Sequence, residues 1–182
     1  MSGEIRFIRA GTVPALGTVA VGLLPRSIAG SPERAEAHPT LRVVSTTAEF
    51  RPATRIARPG QPIVLENRGP LVHRIFSPRL DDRVLPLPPG ERSESFSLDE
   101  SGPARFYCSL HADERFVLMV VSAPWAAVAS GTGEYRFGPL PAGRYTLWIW
   151  SERISGPVRD IVVDGYSRSF EPIWLDPALI DR

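Results

Sequence analysis

Lysine is absent from this 182-residue chain, so all 21 basic side chains are arginine; with abundant Pro and Ala this is read as coding bias rather than function. Against them stand 20 acidic residues, a net charge of +1. No basic face for nucleic acid phosphates is expected, and nucleic acid is excluded as a partner. Long apolar runs are also missing. None approaches the ~18 residues that cross a bilayer, and the N-terminus lacks the basic-then-apolar layout of a signal peptide, so the chain as given is expected to be soluble with no membrane span. There is one cysteine. It excludes an internal disulfide and leaves a single thiol to explain.

The composition, 43% hydrophobic and 23% charged, is that of a globular protein. Helical periodicity is nearly absent, and only 31–37 looks mildly helical. Short alternating runs punctuated by 19 prolines and 15 glycines predict an all-β sandwich or barrel. Strands are expected over 5–9, 18–24, 41–46, 62–66, 73–77, 94–98, 104–108, 116–122, 134–137, 144–150 and 158–163. The Pro- and Arg-rich stretch 26–40 reads as a boundary, and 78–93 as a loop. A second boundary near Pro124 gives three segments: N-terminal strands of an outer sandwich (1–37), a self-contained β module (38–124), and outer-sandwich strands with a C-terminal tail (125–182).

The chemistry concentrates in the middle segment. Cys108-Ser109-Leu110-His111 follows a strand, so a thiolate and an imidazole share one tight loop and can reach one ion. A trigonal His₂Cys set needs a second imidazole. Only three histidines exist, and His73, one loop after a strand, suits a ligand from elsewhere in the fold. His38, in Ala-His-Pro at a boundary, is read as structural. Taken alone, the motif leaves zinc, copper and nucleophilic readings open. A nucleophilic dyad usually draws its base and a third orienting group from distant sequence, and no third group stands out. The plain alternatives are a buried apolar thiol for Cys108 and a backbone-satisfied histidine for His73.

The ordered pieces Phe50-Arg-Pro, Arg58-Pro-Gly-Gln-Pro-Ile-Val-Leu-Glu-Asn67, His73, and Gly102 followed by Phe106-Tyr-Cys-Ser-Leu-His111 resemble the plastocyanin-like cupredoxins. That resemblance implies a Greek-key β-barrel holding one copper ion, Cu(II) or Cu(I), per chain through His73, Cys108 and His111. Asn67 matches the Asn that often precedes the first histidine. The departure is the axial ligand: relatives commonly carry Met three or five residues after the second histidine, where this chain has Glu114 and Phe116. Glu114 is the expected fourth ligand, although a solvated pair with Arg115 is its plain alternative. Met119, inside a strand, ranks behind it.

Further along, Gly133-Glu-Tyr-Arg-Phe-Gly-Pro-Leu-Pro-Ala-Gly143-Arg-Tyr-Thr-Leu-Trp-Ile-Trp150 resembles a transthyretin-like, carboxypeptidase-regulatory-type β-sandwich. With the N-terminal strands it makes the copper module an insertion, which exposed loops tolerate. The aromatic set Tyr135, Phe137, Tyr145, Trp148 and Trp150 is expected to be mostly sandwich core. The two-part arrangement is similar to periplasmic methylamine-utilisation or plastocyanin-like proteins, although Ser151 stands where relatives often follow Trp with His. The resemblance implies an exported or periplasmic electron carrier with a redox protein partner, rather than an enzyme. Copper binding or delivery without redox turnover, a partner-docking module with a structural metal, and an open-site copper catalyst are the alternatives.

Overall fold

The structure, a computed structural model, describes residues 2–7, 19–28, 39–46, 50–51, 53–129, 133–151, 155–164 and 173–175. The stretch 31–37, expected to be mildly helical, lies outside them. The chain divides into two compact units: Glu36–Ser122, and a unit built from Met1–Ala35 with Ala123–Arg182. Strands run in the order β1 (Ser2–Phe7), β2 (Ala20–Ile28), β3 (Leu41–Ser45), β4 (Phe50–Arg51), β5 (Thr54–Ala57), β6 (Ile63–Asn67), β7 (His73–Phe76), β8 (Val84–Leu87), β9 (Gly102–Cys108), β10 (Arg115–Val120), β11 (Trp125–Val128), β12 (Glu134–Arg136), β13 (Gly143–Trp150), β14 (Ser155–Val163) and β15 (Ile173–Leu175). The chain is all-β. Among the described residues the only helical turn is a 3₁₀ segment, Pro78–Leu80.

In the central unit a five-stranded sheet, order β5-β10-β9-β7-β8, faces a three-stranded one, order β4-β3-β6. Period-two patterning builds the core between them. Ala104 and Phe106 of β9, with Phe116 and Leu118 of β10, meet Val43 of β3 and Ile63 and Leu65 of β6 in one buried cluster. Phe106 stacks on Phe116 at 4.6 Å between centroids and Phe50 tilts against Phe116 at 4.5 Å, offset geometries that stabilise beyond area burial. Two pairings are parallel, β3 with β6 and β5 with β10. They place Ser45 level with Asn67 at one end of the smaller sheet.

Two expectations in this unit fail for identifiable reasons. Residues 78–93 are not simply loop, because β8 pairs with β7 despite Pro86. As the outermost strand of its sheet it has a free side on which a missing N–H costs nothing. Conversely, Glu94–Leu98 forms no strand and contributes only an isolated bridge from Phe96 to Ile63, with Phe96 and Leu98 inserted into the core. Alternation there reports burial rather than sheet membership.

The other unit holds a four-stranded antiparallel sheet, order β11-β2-β13-β14, and a three-stranded sheet, order β12-β1-β15. Tyr135, Phe137 and Tyr145 pack with Val21, Leu23 and Leu147 in its core, as their spacing predicts. Trp148 and Trp150 do not join that cluster. They occupy the opposite phase of β13 and stack on each other at 5.8 Å. A Cβ on Gly22 would lie 2.7 Å from both the Trp150 ring and Ala123 Cβ, so only glycine fits beneath that indole.

Candidate metal centre

His73 opens β7, where His73 and Ile75 are buried and Arg74 and Phe76 exposed, so the imidazole points into the sandwich. Cys108 ends β9 in the inward phase of Ala104 and Phe106. Directly across the hairpin neck lies Glu114, whose carbonyl accepts from Cys108 N at 3.1 Å, one step beyond the Tyr107–Arg115 pair. Between them His111 starts a tight turn closed by Glu114 N donating to His111 O at 3.1 Å. Ser109 N donates to Arg74 O at 2.9 Å and ties this loop to β7. Local backbone geometry therefore brings Cys108, His111 and Glu114 together, and the neighbouring strand supplies His73.

The four donor atoms lie within 4.8 Å of one another. His73 Nδ1 is 2.6 Å and His111 Nδ1 3.2 Å from Glu114 Oε2, while Cys108 Sγ is 4.0 Å from His73 Nδ1 and 3.5 Å from His111 Nδ1. The side chains of His73 and Glu114 are fully buried, Cys108 is buried, and the His111 side chain is 28% exposed. The centre thus meets solvent along one imidazole.

Burying a carboxylate is costly unless it is paired. Among the described residues the ion-pair partners of Glu114 are the two imidazoles, with no guanidinium. A proton shared with an imidazole satisfies that arrangement, and so does a metal cation at the point where the two Nδ1 atoms, Sγ and Oε2 converge. Two imidazoles, one thiolate and one carboxylate form a set that suits copper, and one that zinc also accepts. The donors fit a mononuclear metal.

Supporting groups hold the cluster. Asn67, fully buried, donates through Nδ2 to Leu71 O at 2.6 Å and to Leu87 O at 3.0 Å, and its Oδ1 accepts from Gly69 N at 2.9 Å. That fixes the short loop delivering His73. Phe50 tilts against the His73 ring at 5.9 Å, covering its apolar side. Ser45, absent from the sequence-based candidates, lies 3.4 Å from both His73 Nε2 and Glu114 Oε1. No sequence signal marks it, since only the pairing of β3 with β6 brings it there.

Met119 is fully buried but occupies the phase of β10 opposite Phe116, Leu118 and Val120. Five residues of strand, about 17 Å, also separate it from Glu114. Strand geometry directs its thioether away from the other donors.

No protein-family model matches the chain, and neither does any curated protein. Among solved structures it is similar to a novel purple cupredoxin from Nitrosopumilus maritimus, at 19% identity over 44% of this chain and 99% of that one, TM-score 0.39. It is also similar to a reduced proline-to-phenylalanine variant of amicyanin (17% identity, 55% of this chain and 99% of that one, TM-score 0.40). A reduced tryptophan-to-tyrosine amicyanin variant aligns at 16% identity over 56% of this chain and 98% of that one, TM-score 0.41.

Proposed function

We propose that the chain is a mononuclear copper protein of the cupredoxin kind that carries single electrons. In this reading His73, Cys108 and His111 are the principal ligands of one copper ion per chain, and Glu114 is the fourth. The observation that carries it is the gathering of one cysteine sulfur, two imidazole nitrogens and one carboxylate oxygen within 4.8 Å of one another, at three buried residues and one part-exposed one. Copper held by such a set alternates between Cu(II) and Cu(I) and so supplies one-electron transfer.

The residues divide the remaining work. Cys108, Glu114 and His73 sit in or beside paired strands, so the donors keep their places in either charge state. His111 is the part-exposed ligand, and Leu71, Val72 and Leu110, next to the ligands or one residue removed, are exposed apolar side chains. This is the face on which a redox protein partner would close. In the same reading the other unit is a transthyretin-like sandwich, and the protein works in an exported, periplasmic setting.

Adding Cu(II) to the purified protein is expected to give an intense visible thiolate-to-copper charge-transfer band that Cys108→Ser abolishes. A colourless Cu(II) complex, or a band that survives Cys108→Ser, overturns the reading. The hard carboxylate donor favours one alternative, copper storage or delivery. Slow or absent electron self-exchange in the loaded protein would decide for it.

A further inference from the structure

We propose that Ser45 is the positioning residue of this centre: its hydroxyl fixes the His73 ring and turns Glu114 so that Oε2 alone faces the metal. The inference rests on the metal-centre reading above.

Ser45 is completely buried at the end of β3, with its backbone fixed on two sides. Its carbonyl accepts from Arg68 N at 2.8 Å, and it pairs with Phe50 of β4. The hydroxyl has one proton to give and lone pairs to accept with. It lies 3.4 Å from His73 Nε2 and 3.4 Å from Glu114 Oε1, whereas the atoms turned to the donor centre are His73 Nδ1 and Glu114 Oε2. Each ligand therefore shows one polar atom to the centre and the other to Ser45.

Directionality follows from valence. When Nδ1 of His73 binds a metal it carries no proton, so Nε2 must, and Nε2 donates to Ser45 Oγ. The hydroxyl proton then points to Glu114 Oε1, 3.4 Å away. The relay His73 Nε2–H to Ser45 O–H to Glu114 Oε1 ties a strand ligand and a loop ligand into one unit, as the outer partners of ligating histidines commonly do. It also keeps Oε1 from swinging onto the metal, so the carboxylate binds through one oxygen.

The test compares Ser45→Ala with the isosteric pair Ser45→Thr and Ser45→Val, in which the added methyl is common and only the hydroxyl differs. Ser45→Ala is expected to weaken Cu(II) binding roughly 10- to 100-fold. It should change the copper electron paramagnetic resonance hyperfine pattern while keeping the thiolate band. In the diamagnetic Zn(II)-loaded protein the His73 Nε2–H proton should exchange slowly with water, and fast in Ser45→Ala. Thr is expected to retain these properties and Val to lose them. Thr and Val behaving alike, or Ala behaving as native, overturns the role of Ser45 even where the thiolate band is present. A missing band with Zn(II) still bound overturns only the copper reading, because the Zn(II) experiment still reads Ser45. Failure to bind either metal overturns both.

Discussion

Two buried carboxylates in the central unit show how surroundings decide what an acid is for. Glu66, in β6, accepts from Arg68 Nε at 2.9 Å and lies 3.7 Å from Arg92 Nη2. Guanidiniums are permanent cations, so Glu66 has its counter-charge supplied by Arg68, just past the end of β6, and by Arg92 further along the chain. Glu114 is more deeply buried and has imidazoles and a hydroxyl instead. Imidazole is a switchable base and a metal ligand. The same side chain has its counter-charge built in at Glu66, whereas at Glu114 it faces metal-ligating groups instead.

The sharpest break of this comparison uses the residue beside Glu66. Asn67 follows it on β6 but faces inward, so it belongs with the metal centre. Asn67→Ala deletes three hydrogen bonds and is expected to lower the unfolding free energy of the metal-free protein by about 3 kcal/mol, from the usual cost of orphaned buried groups. Urea unfolding measures it, and a loss as small as that of an exposed substitution would remove Asn67 from the site. Next in size, Glu114→Ala is expected to weaken Cu(II) binding on the order of a hundredfold, as losing a ligand should cost at least as much as losing an outer-shell partner. Glu66→Ala, measured in the same competition titration, should leave binding unchanged. Equal effects would erase the distinction between the two acids.

Replacing the hard donor with a soft one sharpens the same point. Glu114→Met is expected to raise the reduction potential, because a carboxylate favours Cu(II) over Cu(I) relative to a thioether. Each tenfold change in the affinity ratio moves a one-electron potential by about 59 mV. Potentiometry showing no rise would remove Glu114 as a dominant donor. The smallest effect concerns Glu66 and acid. The hydrogen bond from Arg68 holds its carboxyl below the ordinary value of 4.5, with the charges of Arg68, Arg92 and Arg42 acting in the same direction and desolvation opposing them. A depressed carboxyl contributes stability that is fully present above its unfolded value and lost as pH falls through the folded one. Metal-free Glu66→Gln should therefore be slightly less stable than native at neutral pH, with the gap closing below about pH 4.5. A gap that persists at low pH would show that Glu66 acts through packing.

Legibility followed the length scale of each interaction. Cys108, His111 and Glu114 are spaced three apart on one hairpin loop, so sequence alone placed them together. His73 was readable because a thiolate–imidazole pair needs another ligand and few histidines are available. Strand periodicity located most core positions, among them Val43, Leu65, Phe106 and Phe116. It misread Glu94–Leu98, because an inward-facing loop alternates as a strand does. It passed over β8 because proline is tolerated where one side of a strand is free.

What the sequence determined by itself was the all-β character, the aromatic core positions and three metal-site candidates on one loop, all of which rest on local periodicity and local spacing. Tertiary structure alone decided the rest. It set the parallel register that carries Ser45 to Asn67's level, the burial that separates Glu114 from a surface ion pair, and the strand phase that turns Met119 away. Each depends on which distant strand lies alongside, and that is fixed by packing two sheets against one core rather than by any short stretch of chain.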